Sequence, residues 1–111
     1  MEIQEQKTDG VMTVAMRGRL DTIAAKSAEE RLLKAIDGGE RKLVIDLAQL
    51  EYINSIGLRV FMLCAKRLKA GGGELAVCAM TPSIHKIFDI AGFLSLLKTY
   101  ETHAEAVKSL A

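Results

Sequence analysis

Two short segments dominate the sequence: Leu43-Val44-Ile45-Asp46-Leu47, apolar on both alternating faces up to Asp46, and Leu75-Ala76-Val77-Cys78-Ala79, apolar throughout. A strand that is apolar on both faces needs cover on both, and a strand–helix–strand order supplies it by laying helices over a parallel sheet. Helical periodicity follows each segment. After the first, a helix beginning at Ser55 carries Phe61, Cys64, Ala65 and Leu68 inward, leaves Arg59, Lys66, Arg67 and Lys69 solvated, and stops at Gly71-Gly72-Gly73. After the second, Thr81 as N-cap and Pro82 at the first helical position launch Ile84, Ile87, Phe88 and Ala91, with Gly92 as the stop.

The remaining segments fall into place around this frame. Ile3 to Thr8 is extended in character, Asp9-Gly10 has turn chemistry, and Met12, Val14 and Met16 alternate with Thr13, Ala15 and Arg17, which predicts an antiparallel hairpin. Asp21 or Thr22 caps a helix with the stripe Ala25, Ala28, Leu32 and Ile36, closed by Gly38-Gly39. Leu96 to Tyr100 reads as a last strand, and Thr102-His103-Ala104-Glu105 as a capping box opening a helix with Ala106, Val107 and Leu110 inward. The predicted order is ββαβαβαβα: an α/β fold of about five strands, mostly parallel with an N-terminal antiparallel hairpin, and about four helices.

A length of 111 residues suits a single domain over 1–111. Lysine and arginine total 15 against 14 acidic residues, with no block of like charge, so neither a nucleic-acid tail nor a polybasic membrane anchor is expected. The apolar runs around Phe61 and Val77 are far shorter than the about 20 residues of a membrane span. Cys64 and Cys78 lie inside apolar runs and form no C-x-x-C pair, the pattern of reduced core thiols rather than of a disulfide or a zinc site. A soluble, cytoplasmic protein is the expectation.

Little in the chain suggests catalysis or a cofactor. Gly71-Gly72-Gly73 ends a helix instead of joining a strand to a helix N-terminus, so it reads as a cap and turn and not as a phosphate cradle. His85 and His103 are single and far apart, with no ligand spacing around them, so no metal is expected. Ser55-Ile56-Gly57 is like the second half of a nucleophile elbow, G-x-S-x-G, but Ile53 stands where that tight turn needs glycine. By itself, Ser55 reads as an N-cap.

The surrounding stretch says more. Asp46-Leu47-Ala48-Gln49-Leu50-Glu51-Tyr52-Ile53-Asn54-Ser55-Ile56-Gly57-Leu58-Arg59 resembles the signature of the anti-sigma-factor antagonist (STAS) family, in which a strand ending in Asp-Leu leads to Asp-Ser-Ser/Thr-Gly-Leu at a helix start. Gly18-Arg19-Leu20-Asp21 resembles the family's G-x-L-D before the first helix, and Gly72-Gly73-Glu74-Leu75 its Gly-Gly lead into the fourth strand. Ile87-Phe88-Asp89-Ile90-Ala91-Gly92-Phe93 resembles its later helix and stop. The likeness runs from about Asp9 to Val107, and the ordered set is more specific than any one piece.

The resemblance implies a partner-switching regulator and no enzyme. Unphosphorylated, such a protein binds an anti-sigma factor that is itself a serine kinase, and so frees a sigma factor; a protein serine phosphatase reverses the modification. By position the phosphorylated residue is Ser55, and the expected docking face comprises Asp21, Asn54, Ser55, Ile56, Leu58 and Arg59. Two residues depart from the family pattern. Asn54 replaces the usual Asp, keeping its shape and one acceptor oxygen without the charge, and Ile56 replaces a hydroxylated residue. These departures keep a second reading open, a binding or scaffold module that never uses Ser55 as a switch. A small serine hydrolase is a third.

Overall fold

A computed structural model describes all residues, 1–111. The chain forms β1 (Glu2–Thr8), β2 (Val11–Leu20), α1 (Thr22–Asp37), β3 (Lys42–Ile53), α2 (Ser55–Ala70), β4 (Glu74–Cys78), α3 (Pro82–Ile90), β5 (Lys98–Tyr100) and α4 (His103–Leu110). The five strands make one sheet in sequential order, with β1 antiparallel to β2 and every later pairing parallel. The α/β class, the hairpin and the order of elements agree with the expectation. Asp9 and Gly10 both take positive φ, 53° and 77°, the conformation a two-residue turn needs to match the twist of the strands it joins.

Each face of the sheet has its own cover. Helices α1, α2 and α3 bury Ala25, Ala28, Leu32, Ile36, Phe61, Cys64, Leu68, Ile84 and Phe88 against Val14, Met16, Leu20, Ile45 and Leu47, with the rings of Phe61 and Phe88 6.2 Å apart. On the opposite face α4 sets Ala106, Val107 and Leu110 on Val11, Val44, Ala76 and Cys78. Half of the capping box before α4 forms: Thr102 Oγ1 accepts from Glu105 N at 3.1 Å, while the Glu105 carboxylate accepts from the Thr102 hydroxyl at 2.9 Å instead of from the Thr102 backbone N–H. Because α4 is only 8 residues long, the same face stays open over β1 and the second half of β2. There Glu2, Gln4, Ala15, Arg17 and Asp46 line a shallow trough of about 300 Å³.

Several boundaries differ from the expectation, each for a local reason. Strand β3 runs on past Leu47 to Ile53, pairing its second half with β2 alone, since β4 ends at Cys78 opposite Asp46. Strand β3 carries one extra residue opposite the step from Ala15 to Arg17 and another opposite the step from Gly18 to Arg19, which breaks its alternation. Its buried residues Leu47, Leu50 and Ile53 therefore fall three apart, a spacing that does not read as strand. Strand β5 starts at Lys98 rather than Leu96, because the chain from Phe93 is still turning, with Leu96 N and Leu97 N both donating to Phe93 O. Ala91 is exposed at the end of α3, where it serves as C-cap and not as a core residue.

Strand β4 stops at Cys78, and Ala79 turns the chain with φ 60°. A left-handed alanine is strained by about 1–2 kcal/mol, whereas glycine is at home there. The Ala79 methyl group returns part of that by packing, half-buried, beside the α4 cluster. Ala79→Gly is therefore expected to stabilise the fold by about 0.5 kcal/mol in urea unfolding, the strain relieved outweighing glycine's entropy and the lost methyl.

Candidate functional site: the rim at the start of the second helix

Parallel topology sends the C-terminal ends of β2, β3, β4 and β5 to one rim of the sheet, where all four helices begin, capped by Asp21, Asn54, Thr81 and Thr102. The starts of α1 and α2 are joined. Leu20 pairs with Ile53 as β2 and β3 end, and Asn54 N donates to Leu20 O at 3.3 Å. Asn54 Nδ2 then donates to Thr22 Oγ1 at 3.1 Å, clasping one helix start to the other.

Asn54 is also the N-cap of α2, its Oδ1 accepting from Ile56 N at 3.1 Å and Gly57 N at 3.0 Å. The capping role read for Ser55 thus belongs to its neighbour. Ser55 occupies the first helical position, exposed, with its hydroxyl free of any intramolecular bond. The amide at position 54 has a use no carboxylate shares: an aspartate could cap α2 but could not donate to Thr22. Asp21 caps α1 in the same manner, Oδ1 accepting from Ala24 N at 3.0 Å.

Gly57 sets how closely α2 sits on the sheet. A Cβ there would lie 2.9 Å from Ile53 Cγ1 and 3.0 Å from the Leu20 side chain, so any larger residue would push the helix start off the strand ends. This close approach presses Leu58 into the core, 4 % exposed. The expectation that Leu58 lies on an exposed docking face is therefore corrected: it faces the sheet. Asp21, Asn54, Ser55, Ile56 and Arg59 do lie at or beside the rim, all exposed except the half-buried Asn54. Sequence reasoning missed Thr22, the partner of Asn54, and Ile23, 84 % exposed. Ile23 lies off the 25, 28, 32, 36 stripe of α1, which was the signal that could have found it.

Other reactive groups are committed elsewhere. Burial pushes both thiols up to about 12, with Glu29 adding to the effect at Cys64 and Asp46 at Cys78, so both stay protonated at neutral pH. They are free and buried, in keeping with reduced core thiols. His103 Nε2 lies 2.7 Å from Thr13 Oγ1 on the α4 face.

A mixed sheet in sequential order, with its exposed chemistry gathered where the helix after the third strand begins, defines a small α/β domain organised around one rim. Residues 2–106 match the STAS domain family, and the chain belongs to it. It is 40 % identical over 96 residues to BtrV of Bordetella bronchiseptica, covering 86 % of this chain and 83 % of that one; that protein's name describes an anti-sigma factor antagonist. The fold superposes on the crystal structure of tm1081 from Thermotoga maritima with TM-score 0.92 at 19 % identity, over 97 % of this chain and 93 % of the other. It also superposes on the Bacillus cell fate determinant SpoIIAA in its phosphorylated form with TM-score 0.76 at 20 % identity, over 99 % and 100 % of the two chains. No helix is long and apolar enough to cross a membrane.

Proposed function

We propose that this chain is an anti-sigma factor antagonist that works by partner switching, with Ser55 as the switched residue. Unphosphorylated, it binds an anti-sigma factor with serine kinase activity and so releases a sigma factor. Phosphorylation of Ser55 ends that binding, and a protein serine phosphatase restores it. The observation that carries this reading is the state of Ser55: exposed, first in α2, its hydroxyl unengaged, in the position the family pattern gives to the phosphoacceptor. Asn54 supports it further, since a neutral cap does not repel an incoming phosphate.

The docking face we propose comprises Asp21, Asn54, Ser55, Ile56 and Arg59, extended by Ile23 and without Leu58. Ile23 and Ile56, 84 % and 39 % exposed, flank a small uncharged serine, a surface that a partner groove can desolvate at little cost. The chain acts as one unit, in the cytoplasm, by binding and without turnover of a substrate. With its cognate kinase and ATP the protein is expected to gain a single phosphate, and Ser55→Ala none, by intact-mass spectrometry. Two phosphates, or an unchanged Ser55→Ala product, would remove Ser55 from this role. No phosphate at all would favour the scaffold reading.

A further inference from the structure

We propose that Arg59 is the intramolecular partner of a phosphate on Ser55, so that modification withdraws the cation of the rim as it adds an anion. This rests on the reading of Ser55 as phosphoacceptor. Arg59 follows Ser55 by four residues on α2 and both are exposed. Side chains four apart on a helix are neighbours, roughly 5–6 Å between Cβ atoms.

Arg59 is uncommitted, unlike the other cations that the fold engages. Lys7, Arg31, Arg67 and Lys98 form ion pairs with Glu40, Glu5, Asp37 and Glu74. Arg19 lies over the Tyr52 ring at 4.3 Å, and Arg41 donates to the carbonyls of Ile36 and Glu40. Arg59 has no such bond, and the first turn of α2 holds no acidic residue to compete for it.

The usual alternative for an anion at a helix start is largely taken up here. Free backbone N–H groups commonly cradle a phosphate at such a place. In α2 the amides of Ile56 and Gly57 already donate to Asn54 Oδ1, that of Leu58 donates to Asn54 O, and one of the two N–H groups of the Asn54 side-chain amide donates to Thr22. A phosphate on Ser55 is therefore left with the amide of Ser55 itself and with side-chain donors. A guanidinium, with its planar fork, matches phosphate geometry. Partners of the unmodified face meet a free cation; partners of the modified face meet an anion of about −1.5 to −2 whose nearest countercharge is already taken.

The test places phosphoserine at position 55 during synthesis, which needs no kinase, and follows the second ionisation of the phosphate by phosphorus NMR. In the otherwise wild-type protein the midpoint is expected to lie below that of Arg59→Gln by roughly 0.3 of a unit at low salt, as suits an exposed pair at this spacing. Arg59→Lys should keep part of the difference, and about 0.5 M salt should erase it. A melting curve of each variant verifies the fold. Equal midpoints for wild type and Arg59→Gln would overturn the proposal while leaving the role of Ser55 intact. A cognate kinase that ignores Ser55 would overturn that role without altering the midpoints.

Discussion

Phosphorylation of Ser55 is expected to weaken binding to the anti-sigma partner at least a hundredfold, read by calorimetric titration against the unmodified protein. The unmodified rim offers exposed apolar surface on Ile23 and Ile56, and burying such surface contributes about 25 cal/mol per Å². Between the two sits a hydroxyl whose neutral form costs little to desolvate. A phosphate changes that term alone, but by a large amount: burying a poorly paired anion costs several kcal/mol, and a hundredfold loss corresponds to only about 2.8 kcal/mol. The Arg59 pair does not offset this, since an exposed pair at this spacing is worth only about 0.5 kcal/mol. Ser55→Asp carries less charge and fewer oxygens, so a smaller loss is expected from it. If the phosphorylated protein bound as tightly as the unmodified one, the switching mechanism would be wrong, with fold and family untouched.

Leu58→Glu should act through a different quantity. Although Leu58 follows the phosphoacceptor by only three residues, it is 4 % exposed and belongs to the large cluster beneath α1 and α2. Removing a buried leucine side chain costs about 2–5 kcal/mol, and a carboxylate in its place must be desolvated or protonated. We expect a loss of roughly 4 kcal/mol and a melting temperature lower by roughly 15 °C or more. Asp21→Ala should lose only about 1 kcal/mol, the worth of one N-cap. A Leu58→Glu protein that melted with the wild type yet failed to bind its partner would return Leu58 to the docking face and contradict the close approach at Gly57.

The order of elements was legible because Leu43–Leu47 and Leu75–Ala79 carry their pattern in each residue, and because Asp9-Gly10, Thr81-Pro82 and the Thr102 capping box are local signals needing no tertiary context. The second half of β3 was not legible, since two extra residues in its pairing with β2 break the period of two that marks a strand. The rim was half legible. Ser55 and Asp21 can be placed from helix-start chemistry, but which of Asn54 and Ser55 is the cap depends on one residue of helix boundary. The inward turn of Leu58 depends on how closely Gly57 lets α2 approach Leu20 and Ile53. The clasp between Asn54 and Thr22 spans 32 residues of sequence, and no local pattern announces it.

The gathering of all four helix starts on one rim has an electrical consequence. Aligned peptide dipoles give a helix roughly half a positive charge at its N-terminus. In this chain α1, α2, α3 and α4 direct that end the same way, so a molecule with formal net charge of only +1 is polarised along the direction of its parallel strands. An anion arriving at Ser55 enters at the favourable end of that polarisation. Modification can therefore alter what the rim binds while leaving the fold beneath it undisturbed.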